Sequence, residues 1–271
     1  MSDQRHPERG PTATDAAAPD AAAPDAAALP VHAYAELLRD ALAATARDEA
    51  AAIVRAGAHV TDTITGGGIV HLFGSGHSAL VAADPVGRSG GLVPLNQIID
   101  RSEDMAERLP GYGRLLALHY HQQYGLEPGE TLLVISNSGI NPLGIDLALD
   151  ARERGLAVIA ISNVRQSRTL ASRHPSGARL FEVADVSLDN HAPHGEAALQ
   201  LPGVAQRVAS VGTVTGSYLV NALLAAAVQG LVRRGLEAPI LVSENAGIAD
   251  ADERNAALRR RWQGRLRRAG V

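Results

Sequence analysis

Two short polar segments of the sequence could hold an anion. Residues 74–78 read GSGHS and residues 136–141 read SNSGIN, and each follows an apolar run and precedes a helical pattern. Each segment offers backbone amides, hydroxyl or amide side chains and the positive end of a helix dipole, which together suit a phosphate dianion. Such residues often serve only as helix caps. Because two such segments occur at corresponding points of successive units, we expect them to form a phosphate-binding site.

Neither segment has the pattern of a nucleotide-binding loop. Both lack the lysine of a Walker P-loop, and GSGHSA departs from the G-x-G-x-x-G pattern because His77, Ser78 and Ala79 follow its second glycine. A nucleotide is therefore disfavoured as the ligand.

Short apolar runs that alternate with helical patterns must position these segments. The runs are rich in branched residues and nearly continuous, which is typical of parallel strands covered on both faces. We predict strands at residues 68–74, 91–96, 131–137, 156–163 and 179–189. Alternation of strands with helices predicts an α/β fold with a doubly wound, five-stranded parallel sheet. Ligands of such sheets bind at the carboxyl ends of the strands, where both polar segments lie.

Helical extensions flank this predicted sheet. Residues 1–30 repeat alanine, proline and aspartate and are predicted to be disordered, because proline recurs too often for a helix. Residues 31–250 are predicted to form the α/β domain, beginning with one long helix or two helices, and residues 251–271 a basic C-terminal helix. Residues 208–232 predict a long helix whose small side chains would favour association between copies.

Composition excludes several classes of function. A net charge of -4 and a pI near 6.2 argue against a nucleic-acid partner, although the basic run at 259–268 could meet an anionic partner instead of forming a solvated face. The absence of cysteine excludes disulfides and thiolate metal sites. Without a signal core or an uninterrupted apolar run of roughly 20 residues, the sequence predicts a cytoplasmic protein with no membrane partner.

The two polar segments also carry a family resemblance. FGSGHS, followed about 60 residues later by ISNSGINP, resembles the sugar isomerase (SIS) domain over residues 34–250. Further motifs, such as RSGGLVP, RHPSG and GTVTG, resemble those of stand-alone SIS proteins related to phosphoheptose isomerase and N-acetylmuramic acid 6-phosphate etherase. The resemblance implies a five-stranded parallel sheet, a sugar phosphate ligand, no metal or other cofactor, and a homodimer or homotetramer with a shared active site.

The resemblance also implies a set of substrate-binding residues. Those in the positions that hold the phosphate are Ser136, Asn137, Ser138 and Asn141, and Ser78 matches the serine of the first segment. The predicted set also includes Ser75, Gly76, His77 and Gly139, from the two polar segments, and Arg88, from its expected place at the cleft. Isomerase and etherase relatives place a catalytic acid ten residues beyond the first serine, but this chain has Arg88 there. The catalytic base must therefore come from another position.

Several acids could supply that base, which should be a carboxylate or imidazole with a pKa near neutrality. Glu196 follows the predicted fifth strand in the loop DNHAPHGEAAL, which also contains His191 and a further catalytic candidate, His194. Asp84 lies one helical turn before Arg88, so the two could form an ion pair at the cleft.

Glu49, on the N-terminal helix, could enter the pocket of a neighbouring subunit, as the resemblance implies. Each of these residues could instead have a structural role or lie on a solvated surface without a part in catalysis. Glu107 and Glu244 are lesser candidates.

Three functions remain open from the sequence. The leading one is loss of water from an amino-sugar 6-phosphate, such as N-acetylglucosamine 6-phosphate, through its open-chain aldehyde. The second is aldose-ketose isomerisation of a phosphosugar, and the third is a phosphosugar sensor without turnover.

Overall fold

The computed structural model describes residues 30–102 and 105–267. Except for Pro30, the segment predicted to be disordered lies outside these residues. The helices are α1 Pro30–Asp48, α2 Ala50–Thr65, α3 Ser78–Ala83, α4 Tyr112–Tyr124, α5 Pro142–Glu153, α6 Val164–Thr169, α7 Leu180–Val183, α8 Gly212–Arg233 and α9 Ala251–Arg260. The strands are β1 Val70–Gly74, β2 Leu95–Ile98, β3 Thr131–Ile135, β4 Ala157–Ser162, β5 Val186–Asp189, β6 Ala197–Leu199 and β7 Val208–Ser210.

Strands β1 to β5 form a parallel sheet in the order β2-β1-β3-β4-β5. In the register, Val70 of β1 pairs with Leu95 on one side and with Thr131 on the other. All residues of β1 and β3 are buried, as expected of parallel strands with helices on both faces. The predicted fold class is confirmed. Because the strand order reverses between β1 and β3, the loops after these two strands open into one crevice.

Side chains that alternate along the strands fill two apolar cores, one on each face of the sheet. Leu72 of β1 belongs to the core that includes residues of α2, α3 and α8, whereas the adjacent Phe73 belongs to the core that includes residues of α4, α5 and α7. Packing on both faces fixes the strands, and therefore the loops at their carboxyl ends.

Helices α2 and α8 pack closely through small residues. A Cβ atom added at Gly57 would lie 2.7 Å from Cβ of Ala226, and one added at Gly230 would overlap the Thr61 side chain. The small residues of α8 thus serve packing within the chain, so they give no support to the predicted association between copies. By length and composition α8 could also span a membrane, with a mean hydropathy of 1.4, but half of that window is buried inside the protein.

Several element boundaries differ from the sequence predictions. Strand β2 begins at residue 95 instead of 91, because the preceding Leu92 forms an antiparallel bridge with Ile240. Residues 180–183 form the short helix α7, whose buried Leu180 and Val183 have the helical spacing of three, so β5 starts only at residue 186. Residues 208–210 form β7, which pairs antiparallel with β6, and α8 begins after them.

The C-terminal segment is shorter as a helix and more buried than predicted. Helix α9 ends at residue 260, and turns follow through the last described residues. Trp262 is only 4% exposed, and its indole nitrogen donates to the carbonyl of Gly67 at 3.0 Å. Within the basic run, Arg259, Arg260 and Arg261 are exposed, whereas the Trp262 ring belongs to the core that includes residues of α2.

Candidate functional site

The two predicted anion-binding segments meet at a cavity of about 170 Å³. The segment after β1 contributes His77 and Ser78 to its lining, and the segment after β3 contributes Ser136, Asn137 and Ser138. These strands are neighbours and run in parallel, so their carboxyl ends bring together segments that are distant in the chain.

The start of α8 forms another part of the cavity. Gly212 and Thr213 line it, and they are the first two residues of a 22-residue helix. The first amides of a helix have no acceptor within the helix and lie at the positive end of its dipole. The sequence predicted this helix but not its part in the site. The sequence feature that could have indicated this role is the glycine and threonine at the start of a long apolar helix.

A chain of hydrogen bonds joins three residues that line the cavity. Nδ2 of Asn190 donates to Oδ1 of Asn137 at 2.7 Å, and Nδ2 of Asn137 donates to Oε1 of Glu196 at 2.7 Å. Asn190 is 3% exposed, and its Oδ1 accepts from the amide of Ala192 at 3.0 Å. This arrangement orients the side-chain amide of Asn137 and ties Glu196 to the anion-binding segment.

The loop that carries Glu196 has an unusual backbone. Glu196 has a φ of +67° and His191 a φ of +50°, in the left-handed region that disfavours residues other than glycine and asparagine. Such conformations cost about 1–3 kcal/mol each and persist only where the surroundings hold them. At Glu196 the backbone amide donates to the carbonyl of Pro193, and the carbonyl accepts from the amide of Val211 just before α8.

Two acidic residues, Glu196 and Glu107, are among the residues that line the cavity. Glu107 was only a lesser candidate from the sequence. Its backbone carbonyl accepts from the amide of Leu143 at 3.2 Å, which joins its segment to the start of α5. No lysine or arginine is among the described residues that line the cavity. An anion there would be met by helix amides, hydroxyl groups and His77.

Ser75 and Gly76 lie beside the cavity, not in its lining. They line a separate recess of about 130 Å³ together with Gln97 and Asp100. Within the segment 74–78, therefore, only His77 and Ser78 line the cavity of about 170 Å³.

Gly139 and Asn141 support the second segment instead of lining the cavity. Gly139 turns the chain with a φ of +63°, and its amide donates to Oγ of Ser136 at 3.2 Å. Oδ1 of Asn141 accepts from Nη1 of Arg173 at 2.7 Å. Asn141 is not among the residues that line the cavity, so its contact with a phosphate stays a prediction.

The expected ion pair between Asp84 and Arg88 forms, but neither residue lines the cavity. Asp84 also accepts from Nδ2 of Asn221 on α8 at 3.2 Å. The pair joins the end of α3 to α8, so the structural alternative for Asp84 fits better than a catalytic role.

Two further catalytic candidates also lie outside the lining of the cavity. Glu49 lies at the break between α1 and α2, where Oε1 is 3.2 Å from Nε2 of His191 in the same chain. His194 is exposed to solvent in the loop before Glu196. Of the four predicted catalytic residues, only Glu196 lines the cavity.

A buried ionic cluster lies at the opposite, amino end of the strands. Glu130 is 3.0 Å from Nε2 of His71 and 2.6 Å from Nη1 of Arg265. Burial would raise the pKa of Glu130, but hydrogen bonds from His71, Arg265 and a backbone amide outweigh it and hold this pKa at about 2. Burial also lowers the pKa of His71. This cluster was not predicted, because its members lie far apart in the chain and His71 lies within an apolar run.

Comparison with family models and curated proteins identifies similar chains. The model of the SIS domain matches residues 33–163. A UPF0309 protein of Geobacillus kaustophilus is 39% identical over 212 residues, which cover 75% of this chain and 80% of the relative. A UPF0309 protein of Listeria monocytogenes is 35% identical over 220 residues, which cover 81% of this chain and 92% of the relative.

Comparison with solved structures supports the same fold. The structure of a phosphoheptose isomerase from Francisella tularensis aligns with a TM-score of 0.51 and 18% sequence identity, and the alignment covers 73% of this chain and 96% of that one. At this level of identity the similarity concerns the arrangement of the sheet and its helices.

Proposed function

Since the chain belongs to the SIS domain family and, within it, to the UPF0309 proteins, we propose that its cavity binds a sugar 6-phosphate and catalyses loss of water from it. The proposed substrate is an amino-sugar 6-phosphate such as N-acetylglucosamine 6-phosphate in its open-chain aldehyde form. The observation that carries the proposal is the 2.7 Å hydrogen bond between Asn137 and Glu196, which sets a carboxylate beside the anion-binding segment.

The phosphate is the first element of the proposal. Ser136, Ser138 and the first amides of α8 surround one cavity, and a helix terminus with neutral hydroxyl donors is a favourable environment for a phosphate dianion. The cavity of about 170 Å³ is smaller than typical ligand pockets of about 300–1,000 Å³. We infer that the phosphate occupies the cavity and that the sugar extends into its mouth.

Glu196 is the proposed general base. Its carboxylate would remove the proton from C2, which is acidic because it is next to the aldehyde carbon. The hydrogen bond from Asn137 holds Oε1, and Oε2 lies 3.4 Å from the Ser210 hydroxyl. One set of contacts would thus orient the base relative to the bound phosphate.

Glu107 is the proposed general acid. As the C2–H bond breaks, its electron pair forms the C2–C3 double bond, and the C3–O bond breaks with its electron pair on oxygen. A proton from the Glu107 carboxyl group converts this leaving hydroxyl into water. The support for this role is that Glu107 is the second acidic residue in the lining of the cavity.

Isomerisation of a phosphosugar is the second candidate, because it begins with the same proton abstraction. In that reaction the proton returns at C1 while a proton moves between the two oxygens, and nothing leaves. The fold shared with a phosphoheptose isomerase is compatible with this reaction.

Product identity separates these functions. The protein is incubated with a panel of hexose and hexosamine 6-phosphates, and each mixture is analysed by mass spectrometry, which detects loss of water, and by NMR, which distinguishes a ketose from an aldose of the same mass. A product lighter by one water supports dehydration, whereas a ketose of unchanged mass supports isomerisation and overturns the dehydration proposal. A sugar phosphate that raises the melting temperature but is never converted indicates a sensor. Absence of both conversion and binding across the panel rejects the sugar phosphate site.

A further inference from the structure

Asp146 of α5 joins three parts of the protein near the cavity. Its side chain is 5% exposed. Oδ2 accepts from the amides of Gly111 and Gly113, at 2.7 and 3.3 Å, and Oδ1 lies 3.1 Å from Nε2 of His174. The two glycines lie at the start of α4, directly after the segment that carries Glu107. The contact with His174 links this segment to the loop before α7.

The contacts of His174 indicate which ring nitrogen donates. Nδ1 accepts from the backbone amide of Ser176 at 3.1 Å and lies 2.7 Å from the Ser176 hydroxyl. An imidazole nitrogen that accepts from an amide carries no proton, so the proton is on Nε2. Since a carboxylate can only accept, Nε2–H donates to Asp146. Nδ1 thus forms contacts within the loop of His174, whereas Nε2 contacts Asp146 on α5.

The loop that contains His174 also forms hydrogen bonds with the second anion-binding segment, residues 136–141. The amide of Arg173 donates to the carbonyl of Ile140 at 2.9 Å, and its guanidinium donates to Asn141 at 2.7 Å. The amide of Leu180 donates to the carbonyl of Gly139 at 2.8 Å. These bonds hold residues 139–141, which follow the cavity-lining residues Ser136 to Ser138.

From these contacts we propose that His174 is a positioning residue of the candidate site. Through Asp146 it fixes the segment that carries Glu107, and through its neighbour Arg173 it fixes the anion-binding segment at 136–141. It does not line the cavity itself. This inference rests on the proposed function, because the proposed role of His174 is to keep Glu107, the proposed acid, at a fixed distance from the bound phosphate.

Two substitutions separate the tasks of the two ring nitrogens. In His174→Gln, the side-chain amide nitrogen replaces Nε2, so a donor to Asp146 remains. In His174→Asn, the shorter side chain can replace only Nδ1, so contact with Ser176 is possible but Asp146 loses its partner. His119→Gln is the matched control, since His119 is exposed on α4 and, among the described residues, its side chain forms a hydrogen bond only with Gln123.

The first measurement needs no ligand. Amide hydrogen exchange followed by mass spectrometry compares residues 105–113 and 136–141 in the full-length variants. We expect faster exchange of both segments in His174→Asn, and exchange close to the wild type in His174→Gln and His119→Gln. Equal exchange in the two His174 variants overturns the inference. If His174→Asn does not fold, Asp146→Asn takes its place, because it keeps an acceptor for the glycine amides and presents an amide to His174.

The second measurement uses inorganic phosphate and N-acetylglucosamine 6-phosphate as probes, with affinities from calorimetry and kcat/KM wherever turnover is found. We expect His174→Asn to lower kcat/KM, or affinity for the sugar phosphate, by up to about 100-fold, and His174→Gln to restore it. If the wild type binds neither probe, the proposed function fails while the exchange result still decides the role of His174. If the wild type binds and the two variants bind equally, the positioning role fails and the proposed function stands.

Discussion

Nδ2 of Asn137 donates a 2.7 Å hydrogen bond to Oε1 of Glu196, across a separation of 59 residues in the chain. The bond joins the segment after β3 to the loop after β5. Because Oδ1 of Asn137 accepts from Asn190, the Asn137 amide can present only its nitrogen to the carboxylate. A polar chain in which every member has a partner is rigid. The carboxylate therefore has a defined place beside the anion-binding segment.

Replacing Glu196 by glutamine tests its proposed role as base. Glu196→Gln keeps an oxygen that accepts from Asn137, so we expect the fold and phosphate affinity to be retained. Turnover should fall about 10²–10⁴-fold, the usual contribution of a general base. Steady-state kinetics and a phosphate titration check this. Unchanged turnover would remove Glu196 from the chemistry.

Ser138→Ala tests the contact with the phosphate. Loss of one hydroxyl donor should weaken phosphate binding by about 1 kcal/mol, roughly fivefold in Kd or KM, with little change in kcat. Ser217→Ala is the control, because Ser217 lies on α8 but does not line the cavity. A fall in kcat with KM unchanged would contradict a simple binding role.

Gly212→Ala tests whether the start of α8 is part of the site. A Cβ atom there would lie 3.3 Å from Oδ1 of Asn137 and 3.6 Å from Nδ2 of Asn190, so the hydrogen-bonded chain must shift. We expect phosphate affinity to fall roughly fivefold, the equivalent of one weakened hydrogen bond.

Gly216→Ala, one turn later in the same helix, is the matched control for Gly212→Ala. Its Cβ atom would meet the methyl groups of Val81 at ordinary contact distances of 3.4 and 3.5 Å. Alanine favours a helix by up to about 1 kcal/mol over glycine, so this variant should have an unchanged affinity and equal or higher stability. Similar affinities for the two variants would place the anion away from α8.

Asn190→Ala tests the buried end of the hydrogen-bonded chain. The substitution removes the donor to Oδ1 of the half-buried Asn137 and the acceptor of the buried Ala192 amide, and the unsatisfied amide costs about 1–3 kcal/mol of unfolding free energy. The freed Asn137 amide can then rotate, so turnover should fall as well. Denaturant unfolding and kinetics measure the two effects. A loss of stability with full activity would show that the chain does not orient Glu196.

The cluster of Glu130, His71 and Arg265 predicts an acid-sensitive fold. The pKa of Glu130 is about 2 in the folded state and about 4.5 in the unfolded state, so its contribution to stability is complete above pH 4.5 and is lost as the pH falls toward 2. Burial lowers the pKa of His71 below its usual 6.5, so the unfolded chain gains this proton first. Stability should therefore decline as the pH falls below 6.5.

Arg265→Ala provides the test of this pH dependence. Removing one partner of the buried carboxylate should cost about 3 kcal/mol at pH 7. It should also flatten the decline below pH 4.5, because the pKa of Glu130 then lies closer to its unfolded value. Arg260→Ala, at an exposed position of α9, is the control. Urea titrations from pH 3 to pH 7 measure both effects, and an unchanged slope below pH 4.5 would contradict the assignment to Arg265.

Local pattern was sufficient to predict the parallel sheet. Runs such as GIVHLFG and TLLVISN are nearly continuous in apolar residues, a composition typical of strands buried on both faces. The topology rule for such sheets then predicted that the segments after β1 and β3 would meet. The predicted strand boundaries were less accurate where contacts with distant residues determine the backbone conformation. An example is Leu92, which forms an antiparallel bridge with Ile240.

The sequence by itself determined the fold class, the two polar segments and Glu196 as a candidate base, because these depend on composition and short-range order. Only the tertiary structure decided which acids reach the cavity. It brought in Glu107 and the start of α8, left Asp84 and Glu49 outside the lining, and assembled the cluster around Glu130. The physical reason is that side-chain contacts depend on how the helices pack on the sheet. The periodicity of apolar residues along the chain predicts helices and strands, but it does not predict which distant side chains come into contact.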